Sequence, residues 1–174
     1  MSLTEPVFRA EPASRAGLTL DEKALGAAID AALSRGDAAT TSAFDRVSAA
    51  VDASHYLLTP RAIVTPKSTA EVAALFAYAT TTGESLTFRS GGTSLSGQAS
   101  TASILVDTRR NFRAITVLDD GMAVRVQPGV TVRQVNARLL RHSRKLGPHP
   151  ASEIACTLAG VVAHNSSGMP CGTA

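Results

Sequence analysis

The residues best able to do chemistry form one short run, Arg89-Ser90-Gly91-Gly92-Thr93-Ser94-Leu95-Ser96-Gly97. Glycines lack a Cβ, so the backbone can take unusual dihedrals and approach a ligand closely. Successive N–H groups in such a loop can converge into an anion-binding nest. Ser90, Thr93, Ser94 and Ser96 add hydroxyl donors, and Arg89 supplies a positive charge at the rim. A pyrophosphate is the natural guest. The run is not a Walker loop, since no Gly-Lys-Ser/Thr follows. Taken alone it serves equally well as a ligand-free turn.

Two later runs could line a ligand. Val126-Gln127-Pro128-Gly129-Val130 ends a strand in a tight Pro-Gly turn whose backbone could face a cofactor, though by itself it is only a turn. Gly147-Pro148-His149-Pro150-Ala151-Ser152 is a rigid loop, and Thr157 opens a helical stretch that closes in Asn165-Ser166-Ser167-Gly168. Ala159, Gly160 and Ala163 on that helix would let a flat ring lie against its backbone. The same small residues also serve plain helix–strand packing. Cys156, His164 and Cys171 fit no zinc spacing and offer only three ligands, so no metal site is expected.

The elements that must position these runs follow from the hydrophobic pattern. Leu25, Ala28, Ile29 and Leu33 predict a helix over 21–35, with Gly36 placed to stop it. A weaker helical or irregular stretch covers 42–54. Pro60 and Pro66 bracket Ile63-Val64, a pair suited to an edge strand. Ser68 and Glu71 predict a capping box for a helix carrying Val72, Leu75, Phe76 and Ala79 on one face and ending at Gly83. Leu86-Thr87-Phe88 is a strand running straight into the glycine loop. Residues 104–106, 114–118 and 122–126 read as three strands of a meander, with Asp119-Asp120-Gly121 as a hairpin turn between the last two. Val132, Val135, Leu139 and Leu140 mark another amphipathic helix, and Cys156 to His164 a buried one. The class is α+β.

Bulk composition narrows the function classes. The 174 residues are 44% hydrophobic and 18% charged, ordinary for a globular chain. Aromatics are 4% with no Trp, so the core must be built from Ala, Val, Leu and Ile. A formal charge of +3 suits an anionic small molecule. Arg133, Arg138, Arg141, Arg144 and Lys145 spread over a helix without interleaved aromatics, so the expectation is a solvated face and no nucleic acid. Two cysteines make no disulfide framework, which points to a reducing cytoplasm. No run approaches the roughly 18 apolar residues of a membrane span, which leaves room for peripheral contact with an inner membrane through other parts. The chain stops inside the loop-like run 169–174, which suggests a fragment.

Five stretches in register resemble the FAD-binding domain of the vanillyl-alcohol oxidase/p-cresol methylhydroxylase superfamily: Asp52-Ala53-Ser54-His55-Tyr56, Pro66 to Val72, Arg89 to Gly97, Val126 to Val130, and Gly147 to Gly168. They are most similar to its 2-hydroxy-acid dehydrogenase branch, which includes the flavin-carrying chain of glycolate oxidase and D-lactate dehydrogenase. The resemblance implies a two-subdomain fold of the p-cresol methylhydroxylase type, incomplete at the C-terminus. It divides the chain into a helical arm over 1–55 and an FAD-binding domain over 56–174, whose first subdomain is 56–108 and whose second begins at 109. The cap and C-terminal regions would lie outside the chain.

The same resemblance implies FAD as cofactor, its pyrophosphate on Ser90, Gly91, Gly92, Thr93 and Ser94, with Arg89 at the rim of the cofactor site. Pro128, Gly129, Pro148, Ser152, Thr157, Gly160, Asn165, Ser166 and Gly168 complete the expected site. Some relatives tether FAD through a His in the glycine loop; the matching position here is Thr93, which implies a non-covalent cofactor. The implied reaction takes the α-hydrogen of a D-2-hydroxy acid such as lactate, glycolate or 2-hydroxyglutarate as hydride to the flavin, with an electron acceptor other than NAD. Catalytic residues, and any iron–sulfur ligands, would lie beyond residue 174. Two rivals stay open: a non-catalytic FAD-binding module of a larger complex, and a reductase of the enolpyruvyl type.

Overall fold

The computed structural model describes residues 20–169 and 171; the expected irregular arm over 1–19 and most of the terminal run 170–174 lie outside the described residues. The chain opens with α1 (Glu22–Ala32), β1 (Ala39–Thr40) and α2 (Ala43–Ser48), followed by β2 (Ala62–Val64), α3 (Thr69–Thr82), β3 (Leu86–Arg89) and β4 (Ile104–Asp107). It continues through β5 (Ile115–Leu118), β6 (Ala123–Val126), α4 (Val132–Leu139) and α5 (Leu158–Ala163).

Side-chain caps define where the helices start. Asp21 accepts the Ala24 N–H at 2.7 Å, and Ser68 accepts that of Glu71 at 3.2 Å. Thr131 and Gln134 form a complete capping box on α4, at 3.2 and 3.0 Å. Each of these satisfies a donor that a helix terminus leaves orphaned. Glu71 completes only half of the expected box. Its carboxylate takes the Lys67 N–H at 2.9 Å and the Arg35 guanidinium at 3.0 Å, which ties α3 to the chain after α1. Gly83 ends α3 in the left-handed region at φ 74°, as its lack of a Cβ allows. At the end of α1 it is Ser34, at φ 53°, that turns the chain, ahead of Gly36.

The first sheet has the order β1-β2-β4-β3, with β1 antiparallel and the other three parallel. This departs from the pattern reading twice. β2 is an interior strand, because β1 adds outside it through Ala39 and Thr40. β4 joins no meander: it lies between β2 and β3, and residues 104–106 are buried in succession. A strand covered on both faces reads as a continuous apolar run, not an alternating one. Leu25, Ile29 and Leu33 of the α1 region share one core with Ala62, Val64, Leu75, Ile104 and Val106. The stretch expected as a helical arm is therefore built into this first layer.

The second layer is a hairpin. β5 and β6 pair antiparallel, Ile115 with Val126 and Leu118 with Ala123. Asp119 and Asp120 turn it at φ 49° and 48°, a region that Asp tolerates better than most residues. α4 packs Val135 and Leu139 against Ile115, Val117, Val124 and Val126. Leu140, expected on that apolar face, is exposed because the chain tightens into a 3₁₀ turn over 140–142. α5 is shorter than the expected buried helix: it spans six residues and buries only Val161.

Candidate functional site

β3 delivers Arg89 and the glycine run to the end of the parallel sheet, and β4 delivers Thr108 beside it, since the Thr108 N–H donates to the Arg89 carbonyl at 3.0 Å. Gly92 sits at φ 63° and Gly97 at φ 77°, where a side chain would be strained. Gly91 is required for a different reason. A Cβ there would lie 2.6 Å from the Ala155 carbonyl oxygen and 3.1 Å from Cys156 Cα, so the loop rests directly on the turn 155–157.

That turn is itself anchored. Ala155 and Cys156 both donate to the Ser152 carbonyl at 2.8 Å, the Cys156 carbonyl accepts Val132 at 3.3 Å, and Leu158 donates to the Val130 carbonyl at 2.8 Å. The capped start of α4 thus fixes the start of α5 against the glycine loop. Between loop and turn lies a cavity of about 510 Å³.

Ten of the fifteen expected site residues line this cavity: Arg89, Ser90, Gly91, Gly92, Thr93, Ser94, Ser152, Thr157, Gly160 and Ser166. Ala159 and Ala163, the other small residues of α5, line it as well. Pro128, Gly129, Pro148, Asn165 and Gly168 do not. The Pro128 carbonyl accepts the Ser90 hydroxyl at 3.5 Å. Gly129 lets two backbone segments meet, since a Cβ there would fall 2.7 Å from the Thr108 oxygen and 2.8 Å from that of Phe112. Gly168 does the same against His149, Asn165 turns the chain after α5 at φ 48°, and Pro148 is exposed. The sequence reading missed Phe88, Gln98, Ala99 and Thr108. Thr108 is found only once β4 is known to lie beside β3, which no local pattern reveals.

Two features give the cavity its chemistry. The backbone N–H groups of Gly91, Gly92, Thr93 and Ser94 make no hydrogen bond among the described residues. Thr157 is 1% exposed, yet its hydroxyl has no partner among the described residues and caps nothing on α5. A buried polar group left unpaired costs about 1–3 kcal/mol, so such groups normally have a partner. Free donors, an orphaned hydroxyl and a wall of small residues suit a ligand with phosphates and a flat ring.

Arg89 also reaches behind the loop: two of its guanidinium N–H groups donate to the carbonyls of Ala49 at 2.8 Å and Val51 at 2.5 Å. Beside it stands Asp52. Burial would raise its carboxyl, but the hydrogen bonds from Ser54 and the charge of Arg89 outweigh this and hold it below the usual 3.8. The Cys156 thiol, on the cavity wall, is pushed up by burial, only partly offset by a Ser152 hydrogen bond. Among the described residues no His, Cys, Asp and Glu cluster is placed to hold a metal, and no helix is long and apolar enough to cross a membrane.

Comparison with known proteins agrees with this geometry. The family described as "FAD binding domain" matches residues 60–174. A D-2-hydroxyglutarate dehydrogenase of Pantoea ananatis is 37% identical over 141 residues, covering 77% of this chain and 13% of that protein. The glycolate oxidase subunit GlcD of Escherichia coli is 32% identical over 120 residues, covering 68% of this chain and 24% of that protein. The chain therefore spans only an eighth to a quarter of these relatives. Among solved structures, alkyldihydroxyacetonephosphate synthase superposes with a TM-score of 0.66 at 23% identity, over 76% of this chain and 28% of that one. That likeness establishes the fold.

Proposed function

Because the chain belongs to the FAD binding domain family, we propose that its cavity holds FAD without a covalent bond, as part of an oxidoreductase acting on a D-2-hydroxy acid. The observation that carries the reading is the pairing of free N–H groups on 91–94 with the orphaned Thr157 hydroxyl along one cavity. The N–H groups would hold the pyrophosphate, helped by the hydroxyls of Ser90, Thr93 and Ser94. Thr157, Ser152 and Ser166 would bond the ribityl chain and ring edge, and Ala159, Gly160 and Ala163 would accept the ring face. Pro128, Gly129, Pro148, Asn165 and Gly168 would shape the loops around it. Thr93 offers no imidazole for a tether.

In this reading residues 56–108 and 109–174 are the two subdomains around the cofactor, with α1 completing the first. FAD bound there supplies the two-electron acceptor for oxidation of the hydroxy acid to its 2-oxo acid. This chain's residues contribute binding and electrostatics, and the substrate-facing groups belong to the rest of the protein. A cytoplasmic location fits the two unpaired cysteines.

The test uses the full-length protein carrying this chain. Its flavin absorbance should bleach anaerobically on adding one of D-lactate, glycolate or D-2-hydroxyglutarate, and the pigment should leave the protein on acid precipitation. No bleaching with any hydroxy acid would remove the dehydrogenase reading, and pigment retained in the pellet would remove the non-covalent one.

A further inference from the structure

The glycine run has two sides. One borders the cavity, and the other is held by residues 49–58. The Ala53 N–H donates to the Gly92 carbonyl at 3.0 Å, and Leu58 donates back to Ala50 at 3.1 Å. Arg89 grips the Ala49 and Val51 carbonyls, 40 and 38 residues away in sequence. Asp52 fixes the following turn by accepting both the N–H of Ser54 at 2.8 Å and its hydroxyl at 2.5 Å. The Tyr56 ring then occupies the space beside Gly97, where a Cβ would fall 2.5 Å from Cδ2. Every one of these contacts lies outside the cavity-lining set except through Arg89 and the loop itself.

A loop with three glycines is expensive to order, because glycine loses more backbone freedom than any other residue. If that ordering were deferred to ligand binding, it would be subtracted from affinity. Here the guanidinium fork and the Ala53 N–H fix the loop beforehand from behind. The Ala53 N–H also occupies the Gly92 carbonyl, and the N–H groups of 91–94 have no partner among the described residues.

We propose that Arg89 and Asp52 are positioning residues for the cofactor: they hold segment 49–56 as a brace that pre-orders the glycine loop for a pyrophosphate, and Arg89 does not act as a phosphate-binding charge. The inference rests on the FAD reading above. It assigns to Arg89 a role that depends on the geometry of its fork. Lysine keeps the charge but cannot present two parallel donors to two carbonyls.

The experiment compares Arg89→Lys, Arg89→Gln, Asp52→Asn and the Arg89→Lys/Asp52→Asn double variant in the full-length protein. FAD affinity is read by flavin fluorescence, and the bound pyrophosphate by ³¹P NMR. Both Arg89 variants should weaken FAD binding tenfold or more and by equal factors. The ³¹P resonances of the remaining bound FAD should move toward those of free FAD, a change that general destabilisation would not cause. Asp52→Asn should cost less in the Arg89→Lys background than alone, since the two act through one segment. Wild-type affinity in Arg89→Lys together with loss in Arg89→Gln would overturn the proposal in favour of a direct charge contact. Unchanged affinity and unchanged ³¹P shifts in both would overturn it as well. If the Arg89 variants fail to fold, Ser54→Ala removes one hydroxyl from the same brace. It should weaken binding two- to fivefold with a ³¹P shift, and no change there would sink the idea. A wild-type protein that binds no FAD would fail the underlying reading instead.

Discussion

Gly91→Ala is the smallest change that separates a glycine loop seated against a second element from one that merely turns. The added Cβ would stand 2.6 Å from the Ala155 carbonyl oxygen, while ordinary contact begins near 3.4 Å. One side must retreat by about 0.8 Å, and neither can do so freely. Ala155 and Cys156 are both bonded to Ser152, Cys156 is bonded to Val132, and Gly92 on the other side is held by Ala53. Overpacking of this kind costs about 1–3 kcal/mol. If all of it is expressed at the cavity, FAD binding weakens roughly 5- to 150-fold; whatever is not appears as lost stability of the apo protein. FAD titration and apo thermal unfolding, run together, account for both. Gly36→Ala and Gly147→Ala are the controls, because neither added Cβ meets anything within 4 Å; each should stay within about 0.5 kcal/mol of wild type. A Gly91→Ala protein indistinguishable from Gly147→Ala in affinity and melting would refute the seating of the loop on 155–157.

Thr157→Val removes the orphaned hydroxyl at nearly constant volume, so the apo protein should gain about 1–3 kcal/mol while FAD affinity falls by about two- to tenfold; a loss of apo stability would show that the hydroxyl has a partner. Leu25→Ala should cost about 2–5 kcal/mol in urea unfolding, as a core position does, whereas a helix on a detached arm would cost almost nothing. The Cys156 thiol, raised by burial, should stay protonated at pH 8 and resist iodoacetamide until the protein is unfolded. The lowered Asp52 carboxyl contributes stability that is fully present above its unfolded value near 3.8 and is lost as pH falls through its lower folded value. The stability gap between wild type and Asp52→Asn should therefore be constant near neutrality and close only in acid below that value.

Local chemistry was readable wherever a neighbour in sequence is also the neighbour in space. Ser68 and Glu71 announce the start of α3, Gly83 its end, and Asp119-Asp120-Gly121 the hairpin, because caps and tight turns are made within four residues. The strand order was not readable in this way. Ile104-Leu105-Val106 carries the same apolar signal whether it begins a meander or fills the centre of a parallel sheet, and only its partners decide between them. The site follows the same division. The loop 90–94 and the small residues of α5 were found from composition, while Thr108 reaches the cavity through strand order.

Arg89 shows how the two kinds of signal can conflict. Next to a glycine loop, a cation reads as a phosphate contact, since sequence offers proximity to the loop and nothing about what lies behind it. In the fold two of the guanidinium N–H groups donate to the carbonyls of Ala49 and Val51 behind the loop. In the proposed site anion binding by the loop rests on backbone N–H groups, whose partial charges are fixed in direction by the chain and cannot swing away as a long side chain can. A loop built this way gains affinity from order more than from net charge. On this proposal residues outside the cavity, Asp52 and Ala53 among them, bear on cofactor binding by ordering the loop.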